Sequence, residues 1–110
     1  MGKITYTKSS GNVFEDIGFS HEEATELAAK TKLIIAIKDA MKQNKLTQKD
    51  AAVQCKTDQP TLSKVLRGRL DSVTIDRLAS WLNALGQDVE ITVRKAPASH
   101  KSGVLSVVAA

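Results

Sequence analysis

The chain has 110 residues, of which 42% are hydrophobic and 25% charged, as expected for one globular domain with a single modest core. It has no apolar stretch long enough for a membrane span, no secretory signal pattern at its start, and one cysteine, Cys55, which excludes an internal disulfide and a cysteine-based zinc cluster. These features predict a cytoplasmic protein, and its net charge of +4 lies entirely in residues 45–69, which hold six basic and two acidic side chains.

The N-terminal arm, residues 1–19, is predicted to contain one short turn or half-helix. The apolar side chains that we expect to fold onto the main body are Val13, Phe14, Ile17 and Phe19. Ser20 and Glu23 have the spacing of a capping box, which predicts that a helix starts there. Apolar residues then recur at three- and four-residue steps as far as Met41, and Asn44 is expected to end this long helix in a left-handed conformation.

Three shorter helices are predicted in the middle of the chain. Thr47 and Asp50 make a second capping box, and Asp58 and Thr74 are suitable caps for the next two helices, each of which is followed by a glycine. The residues expected on the inner faces are Ala51, Ala52 and Cys55, then Leu62, Val65 and Leu66, then Ile75, Leu78, Leu82 and Leu85. Trp81, at the edge of the last stripe, is assigned to the core rather than to a partner-binding anchor.

After Gly86 the hydrophobic pattern changes from helical to alternating, which predicts a C-terminal β-hairpin over residues 87–110. An isolated hairpin is only marginally stable in water, so we expect this one to pair with its copy in a second subunit. The predicted dimerisation residues are Val89, Ile91, Val93, Leu105 and Val107. The fold class is therefore predicted as mainly α, with four to five helices and this hairpin.

Residues 47–68 carry the functional signal, since two short helices joined by a three-residue turn are an unusual arrangement. Helices this short are not stable alone and must be held by their neighbours. Small Ala52 suits a close crossing of the two helices. The outer face of the second helix presents hydrogen-bonding and basic residues with no carboxylate: Gln59, Thr61, Ser63, Lys64 and Arg67. Such side chains read base edges and bind phosphates, although a basic segment can also be a solvated helix face.

The stretch LTQKDAAVQCKTDQPTLSKVLRG resembles the helix-turn-helix of the Xre family, of the lambda repressor and Cro type, which implies a lambda-repressor-like bundle over residues 20–86. The flanking segments SSGNVFEDIGF and ALGQDVEITVRK resemble a narrower subgroup, the HigA-like antitoxins. Those proteins repress their own operons and pair with RelE-like, HigB-type toxins that cleave mRNA. The resemblance covers roughly residues 9–108.

The resemblance implies roles for individual residues. The implied base-facing set is Gln59, Pro60, Ser63 and Lys64, in which Gln59 matches adenine and Lys64 matches guanine or a phosphate. The implied phosphate-contacting set is Thr47, Gln48, Lys49, Lys56, Thr61, Arg67, Arg69 and Thr74. The chain departs from the family pattern in the turn, where Lys56 replaces the usual glycine and Thr57 replaces a buried aliphatic residue.

The predicted function is a sequence-specific, homodimeric DNA-binding repressor of an inverted-repeat operator, and specifically the autoregulating antitoxin of a type II toxin–antitoxin operon. Two alternatives stay open, a prophage-type regulator without a toxin and a module that mainly binds a toxin. We find no nucleophile–base arrangement and no phosphate-binding glycine loop, so no enzyme, cofactor or metal site is predicted. Cys55 is interpreted as a buried core thiol, and His21 and His100 as surface residues.

Overall fold

The computed structural model describes residues 12–100 and 102–109, which contain five α-helices and one 3-10 turn. The elements are α1 (Val13–Asp16), α2 (His21–Gln43), α3 (Gln48–Gln54), α4 (Gln59–Leu66), the 3-10 turn Leu70–Ser72, and α5 (Ile75–Ala84). Residues 1–11 of the predicted N-terminal arm lie outside the described residues. Among the helices described, none combines the length and the apolar character needed to cross a membrane.

All four predicted helix starts are confirmed by their capping hydrogen bonds. The Ser20 hydroxyl accepts from the Glu23 N–H at 3.2 Å, and the Glu23 carboxylate accepts in return from the Ser20 N–H at 3.3 Å. Thr47 and Asp50 form the second reciprocal capping box. The Asp58 carboxylate accepts from the backbone of residue 61 at 2.7 Å, and the hydroxyl of residue 74 caps α5 in the same way at 3.1 Å. Local capping chemistry thus defines where these helices begin.

The five helices also end alike, each with a residue at positive φ just beyond the helix and a pair of backbone hydrogen bonds that closes its last turn. Glycine takes this position after α1, α4 and α5, and lysine takes it after α2 and α3. The prediction for Asn44 is wrong, since Asn44 has φ −93° and the left-handed residue is Lys45, with φ 55°. The Asn44 side chain donates instead to the Leu85 carbonyl at 3.3 Å, which ties the end of α2 to the end of α5.

The core lies between α2 and the three helices α3, α4 and α5, and α2 packs most extensively against α5. Ile37, Leu62, Val65 and Leu78 are fully buried at its centre. The predicted inner faces of α3, α4 and α5 are confirmed, apart from Ile75, which is half-buried. Trp81 is only 2% exposed, which confirms its assignment to the core.

The short helix α1 packs on the N-terminal half of α2. The Asn12 amide donates to the Ala24 carbonyl at 3.0 Å, and the rings of Phe14 and Phe19 meet edge-to-face at 6.2 Å between centroids. The predicted short half-helix is confirmed. Its apolar side chains are only partly covered, however, because Val13 and Ile17 are 64% and 68% exposed.

The predicted C-terminal β-hairpin is wrong, because the structure assigns no strand to residues 87–100 or 102–109. A strand needs a neighbouring strand for its backbone N–H and C=O groups, and the helices packed beside this segment offer none. Of the five predicted dimerisation residues, Val89 and Val107 pack against the core, whereas Ile91, Val93 and Leu105 are exposed. The described fold is therefore an all-helical bundle with an extended C-terminal segment.

Candidate nucleic-acid interface

The predicted helix-turn-helix unit is formed by α3 and α4, which pack directly on each other. Ala51 and Ala52 are 0% and 3% exposed on the inner side of α3, and their small side chains permit this close approach. On α4, Leu62, Val65 and Leu66 are buried in the common core. Because this inner side is fixed by core packing, the opposite side of α4 faces the solvent.

The outer side of α4 carries the predicted base-facing residues. Gln59, Pro60 and Lys64 are exposed, and Ser63 is half-buried. The Arg67 guanidinium donates to the Ser63 hydroxyl at 2.8 Å, so these two side chains meet one helical turn apart. No residue of α4 is acidic, and this surface therefore combines amide, hydroxyl and cationic groups that suit base edges and phosphates.

The predicted phosphate-contacting residues are distributed over several elements. Thr47 and Thr74 lie at the starts of α3 and α5, where their hydroxyls accept capping hydrogen bonds from backbone N–H groups. Lys49 is exposed on α3, and Arg69 is exposed between α4 and the 3-10 turn. Thr61 is half-buried in the first turn of α4. The exposed cations Lys49 and Arg69 supply the positive charge that attracts a phosphate, and the cap hydroxyls still have their own O–H to donate.

The atypical turn after α3 is fully formed. Lys56 is exposed and has φ 57°, as expected for a residue that stands where the family has glycine. The Thr57 N–H donates to the Ala52 carbonyl at 3.0 Å, which closes the last turn of α3. The Thr57 hydroxyl accepts from the Arg77 guanidinium at 3.5 Å, at the position where the family pattern has a buried aliphatic residue. Arg77 also lies 5.6 Å from the Trp81 ring centroid.

A buried lysine holds the segment that follows α4. Lys30 on α2 is 6% exposed, and its ammonium donates to the Leu70 carbonyl at 2.9 Å and pairs with the Glu26 carboxylate at 3.1 Å. Leu70 directly follows Arg69 in the chain. The role of Lys30 was not predictable from the sequence, because a contact between residues 40 positions apart leaves no local pattern.

Three further basic residues that the sequence analysis did not assign border the interface: Lys38, Lys42 and Arg77. Lys38 and Lys42 line a groove that Gln48 and Arg67 also line. Their spacing of four residues places both lysines on one face of α2, which was readable from the sequence. Which element that face adjoins was not readable, because this depends on how α2 packs against α3 and α4.

Two titratable groups of the unit have shifted pKa values. Hydrogen bonds from the side chain and backbone of Thr61 hold the pKa of the Asp58 carboxyl below its ordinary value, with smaller contributions from nearby Lys64 and Arg77. Burial raises the pKa of the Cys55 thiol, whose Sγ lies 3.8 Å from the Trp81 carbonyl oxygen. Cys55 is thus a buried core thiol, as predicted. Within the described residues, no group of three or more His, Cys, Asp or Glu side chains has a geometry that could hold a metal ion.

Comparison with known proteins agrees with this geometry. The family described as "Helix-turn-helix domain" matches residues 13–94, which include all five helices. A solved structure named "Putative XRE Family Transcriptional Regulator" is 38% identical in sequence, covers 80% of this chain and 99% of its own, and superposes with a TM-score of 0.72. A search of curated proteins gave no match. The chain therefore belongs to the helix-turn-helix domain family and to the XRE family of transcriptional regulators.

Proposed function

We propose that this XRE family protein is a sequence-specific repressor that inserts the outer face of α4 into the DNA major groove. The observation that carries the proposal is the make-up of α4, which has a buried inner face and an outer face with Gln59 and Lys64, no carboxylate, and Arg67 directly after the helix. A helix supported in this way can present its side chains to base edges without ordering itself first. Family membership also supports the prediction that the chain is not an enzyme.

Individual side chains then divide into two roles. Gln59 and Lys64 read base edges, Gln59 through a bidentate pair with adenine and Lys64 through guanine acceptors or a phosphate. The exposed cations Lys49, Arg67 and Arg69 contact the backbone and supply salt-dependent affinity that does not depend on sequence. Each bidentate base contact is expected to contribute about 1–3 kcal/mol of discrimination.

The repressor acts as a homodimer on an inverted repeat. The exposed apolar side chains of the C-terminal segment support this, because Ile91 and Val93 are 88% and 90% exposed in the single chain. Burial of these side chains, together with Leu105, against a second copy removes apolar surface from water. Two-fold symmetry then places the two α4 helices in major grooves on the same side of the DNA, one helical turn (about 34 Å) or a multiple of one turn apart.

The test of DNA reading is the double variant Gln59→Ala/Lys64→Ala, assayed on duplexes that the wild-type protein selects from a randomised pool. The variant should fold normally and lose its preference for selected over unselected duplexes by at least tenfold. The control is Lys32→Ala/Gln54→Ala, which removes the same residue types at exposed positions outside α4. Retention of full affinity and preference by the α4 variant contradicts the proposal.

We further propose that the repressor is a HigA-like antitoxin that regulates its own operon. The apolar side chains left open on α1 support a protein partner on that side, since Val13 and Ile17 are largely exposed and lie outside the α3–α4 unit. The test is co-expression with the product of the adjacent gene, followed by co-purification and growth measurement. The double variant Val13→Ser/Ile17→Ser should weaken the complex and leave DNA binding unchanged.

The two alternatives are separated when repression of the protein's own promoter is measured alongside complex formation and growth. A stand-alone prophage-type regulator binds its operator and forms no complex with the neighbouring protein. A module that mainly binds a toxin forms the complex and rescues growth, and its rescue survives Gln59→Ala/Lys64→Ala. An autoregulating antitoxin also keeps its rescue in that variant but loses repression of its own promoter.

A further inference from the structure

A basic groove of about 390 Å³ lies beside the proposed recognition surface, between α2, the start of α3 and the end of α4. Its apolar part includes Met41 and Leu66, and its polar side chains are Lys38, Lys42, Gln48 and Arg67. Three of these carry positive charge, and no carboxylate lines the groove. The groove is therefore chemically suited to an anionic ligand with some apolar surface.

The two lysines of α2 line this groove, and no carboxylate among the described residues forms an ion pair with either of them. Lys38 and Lys42 are exposed, and neither takes part in the ion pairs formed within the described residues. They lie four residues apart on one helix face, an arrangement in which like charges repel each other and destabilise a helix slightly. A bound anion removes this repulsion, whereas water only screens it.

Arg67 joins the groove to the proposed recognition surface. It lines the groove, and its guanidinium also donates to the Ser63 hydroxyl on the outer side of α4. A polyanion that lies along α4 therefore reaches the groove without leaving the protein surface. This continuity favours the backbone of the same DNA molecule over a separate acidic protein segment.

We propose that this groove binds the sugar–phosphate backbone flanking the major groove that α4 enters, with Lys38 and Lys42 as additional phosphate contacts. Deoxyribose carbons pack on the apolar floor, and successive phosphates accept from the lysine ammonium groups. This inference rests on the proposed DNA-binding function and adds two residues on α2 to it. It implies that α2 is part of the DNA-binding surface as well as the central helix of the core.

The test is the double variant Lys38→Gln/Lys42→Gln, whose affinity for the selected duplex is measured over a series of salt concentrations. Loss of two phosphate contacts should reduce the slope of log affinity against log salt by about 1.8, since each contact contributes about 0.9. Preference between selected and unselected duplexes should stay unchanged. The single variants should each reduce the slope by about half as much.

The matched control is Lys32→Gln/Lys95→Gln, which removes the same total charge at exposed positions that do not line the groove. It should leave the slope close to the wild-type value. Lys38→Arg/Lys42→Arg should retain most of the wild-type affinity, because arginine also binds phosphate. A wild-type slope in Lys38→Gln/Lys42→Gln overturns the proposal, including the case in which the groove serves an acidic protein partner.

Failure of this inference is distinguishable from failure of the proposed function. A wild-type slope in Lys38→Gln/Lys42→Gln, together with lost site preference in Gln59→Ala/Lys64→Ala, refutes only the proposal that the groove binds DNA. Retained site preference in the α4 variant refutes DNA reading by α4 itself. A duplex with uncharged methylphosphonate linkages in the flanks adds a direct check, since it should weaken the wild-type protein more than the groove variant.

Discussion

Two lysines in left-handed conformation allow a controlled test of how backbone strain and DNA contact combine. Lys45 after α2 and Lys56 after α3 have φ values of 55° and 57°, and both are exposed. Each occupies the same place in the same type of helix end, with the next residue donating to a helix carbonyl at 2.9 Å and 3.0 Å, respectively. We therefore expect Lys45→Gly and Lys56→Gly to change the free energy of unfolding by the same amount.

The expected gain is modest because two effects oppose each other. A left-handed conformation costs an L-residue about 1–2 kcal/mol, which glycine avoids. Glycine also gives the unfolded chain more conformational freedom, which offsets about 0.5–1 kcal/mol of that gain. The net stabilisation is about 0.5–1 kcal/mol for each variant, or a rise in Tm of about 2–5 °C for a domain of this size.

DNA binding should separate the two variants. Only Lys56 belongs to the predicted phosphate-contacting set, so Lys56→Gly should reduce the salt slope of DNA affinity by about 0.9 and Lys45→Gly should not change it. Thermal and urea denaturation measure the stability change, and fluorescence anisotropy with labelled duplex measures the slope. A fall in Tm for both variants refutes the strain argument, and equal slopes refute the phosphate contact at residue 56.

Three further predictions concern the fold. Leu62→Ala should lower the free energy of unfolding in urea by about 2–5 kcal/mol, because Leu62 is fully buried, while the control Val53→Ala, at an exposed site, should change it by less than about 0.5 kcal/mol. The lowered pKa of Asp58 means that its ionised form stabilises the fold above the ordinary aspartate pKa, and that this contribution disappears as the pH falls through the folded value. In acid titrations Asp58→Asn, which keeps a capping oxygen, should lose that part of the pH dependence; an unchanged acid transition contradicts the assignment. Burial raises the pKa of the Cys55 thiol, so a thiol reagent at neutral pH should react with the folded protein far more slowly than with the protein in denaturant, and equal rates would exclude a buried thiol.

Capping and turn chemistry were predictable from the sequence because they act over three or four residues. Ser20 with Glu23 and Asp58 before Pro60 identified helix starts that the structure confirms. The lysine at positive φ in the turn after α3 stands where the family pattern has glycine. The same reasoning failed by one residue at Asn44, whose side chain is engaged by the distant Leu85 carbonyl. Local rules thus locate helix ends to within a residue or so.

The C-terminal hairpin was not predictable from alternation alone. Val89, Ile91 and Val93 alternate with polar residues along the sequence. This alternation does not say whether another strand is present to receive the backbone hydrogen bonds, and no strand is assigned within residues 12–100 and 102–109. Contacts between residues far apart in sequence, such as the one from Lys30 to Leu70, were missed for a related reason, because they depend on the tertiary packing.

The Lys30 contact also has a thermodynamic consequence for DNA binding. The ammonium fixes the Leu70 carbonyl, and with it the short segment between Arg69 and Thr74, before any ligand arrives. The conformational entropy of ordering that segment is therefore lost during folding and not during binding, where fixing one residue's backbone costs about 1–2 kcal/mol. Under the phosphate contacts proposed for Arg69 and Thr74, a variant without this lysine would order more of the segment on the duplex, so its association should be weaker and entropically less favourable even though those two side chains are intact.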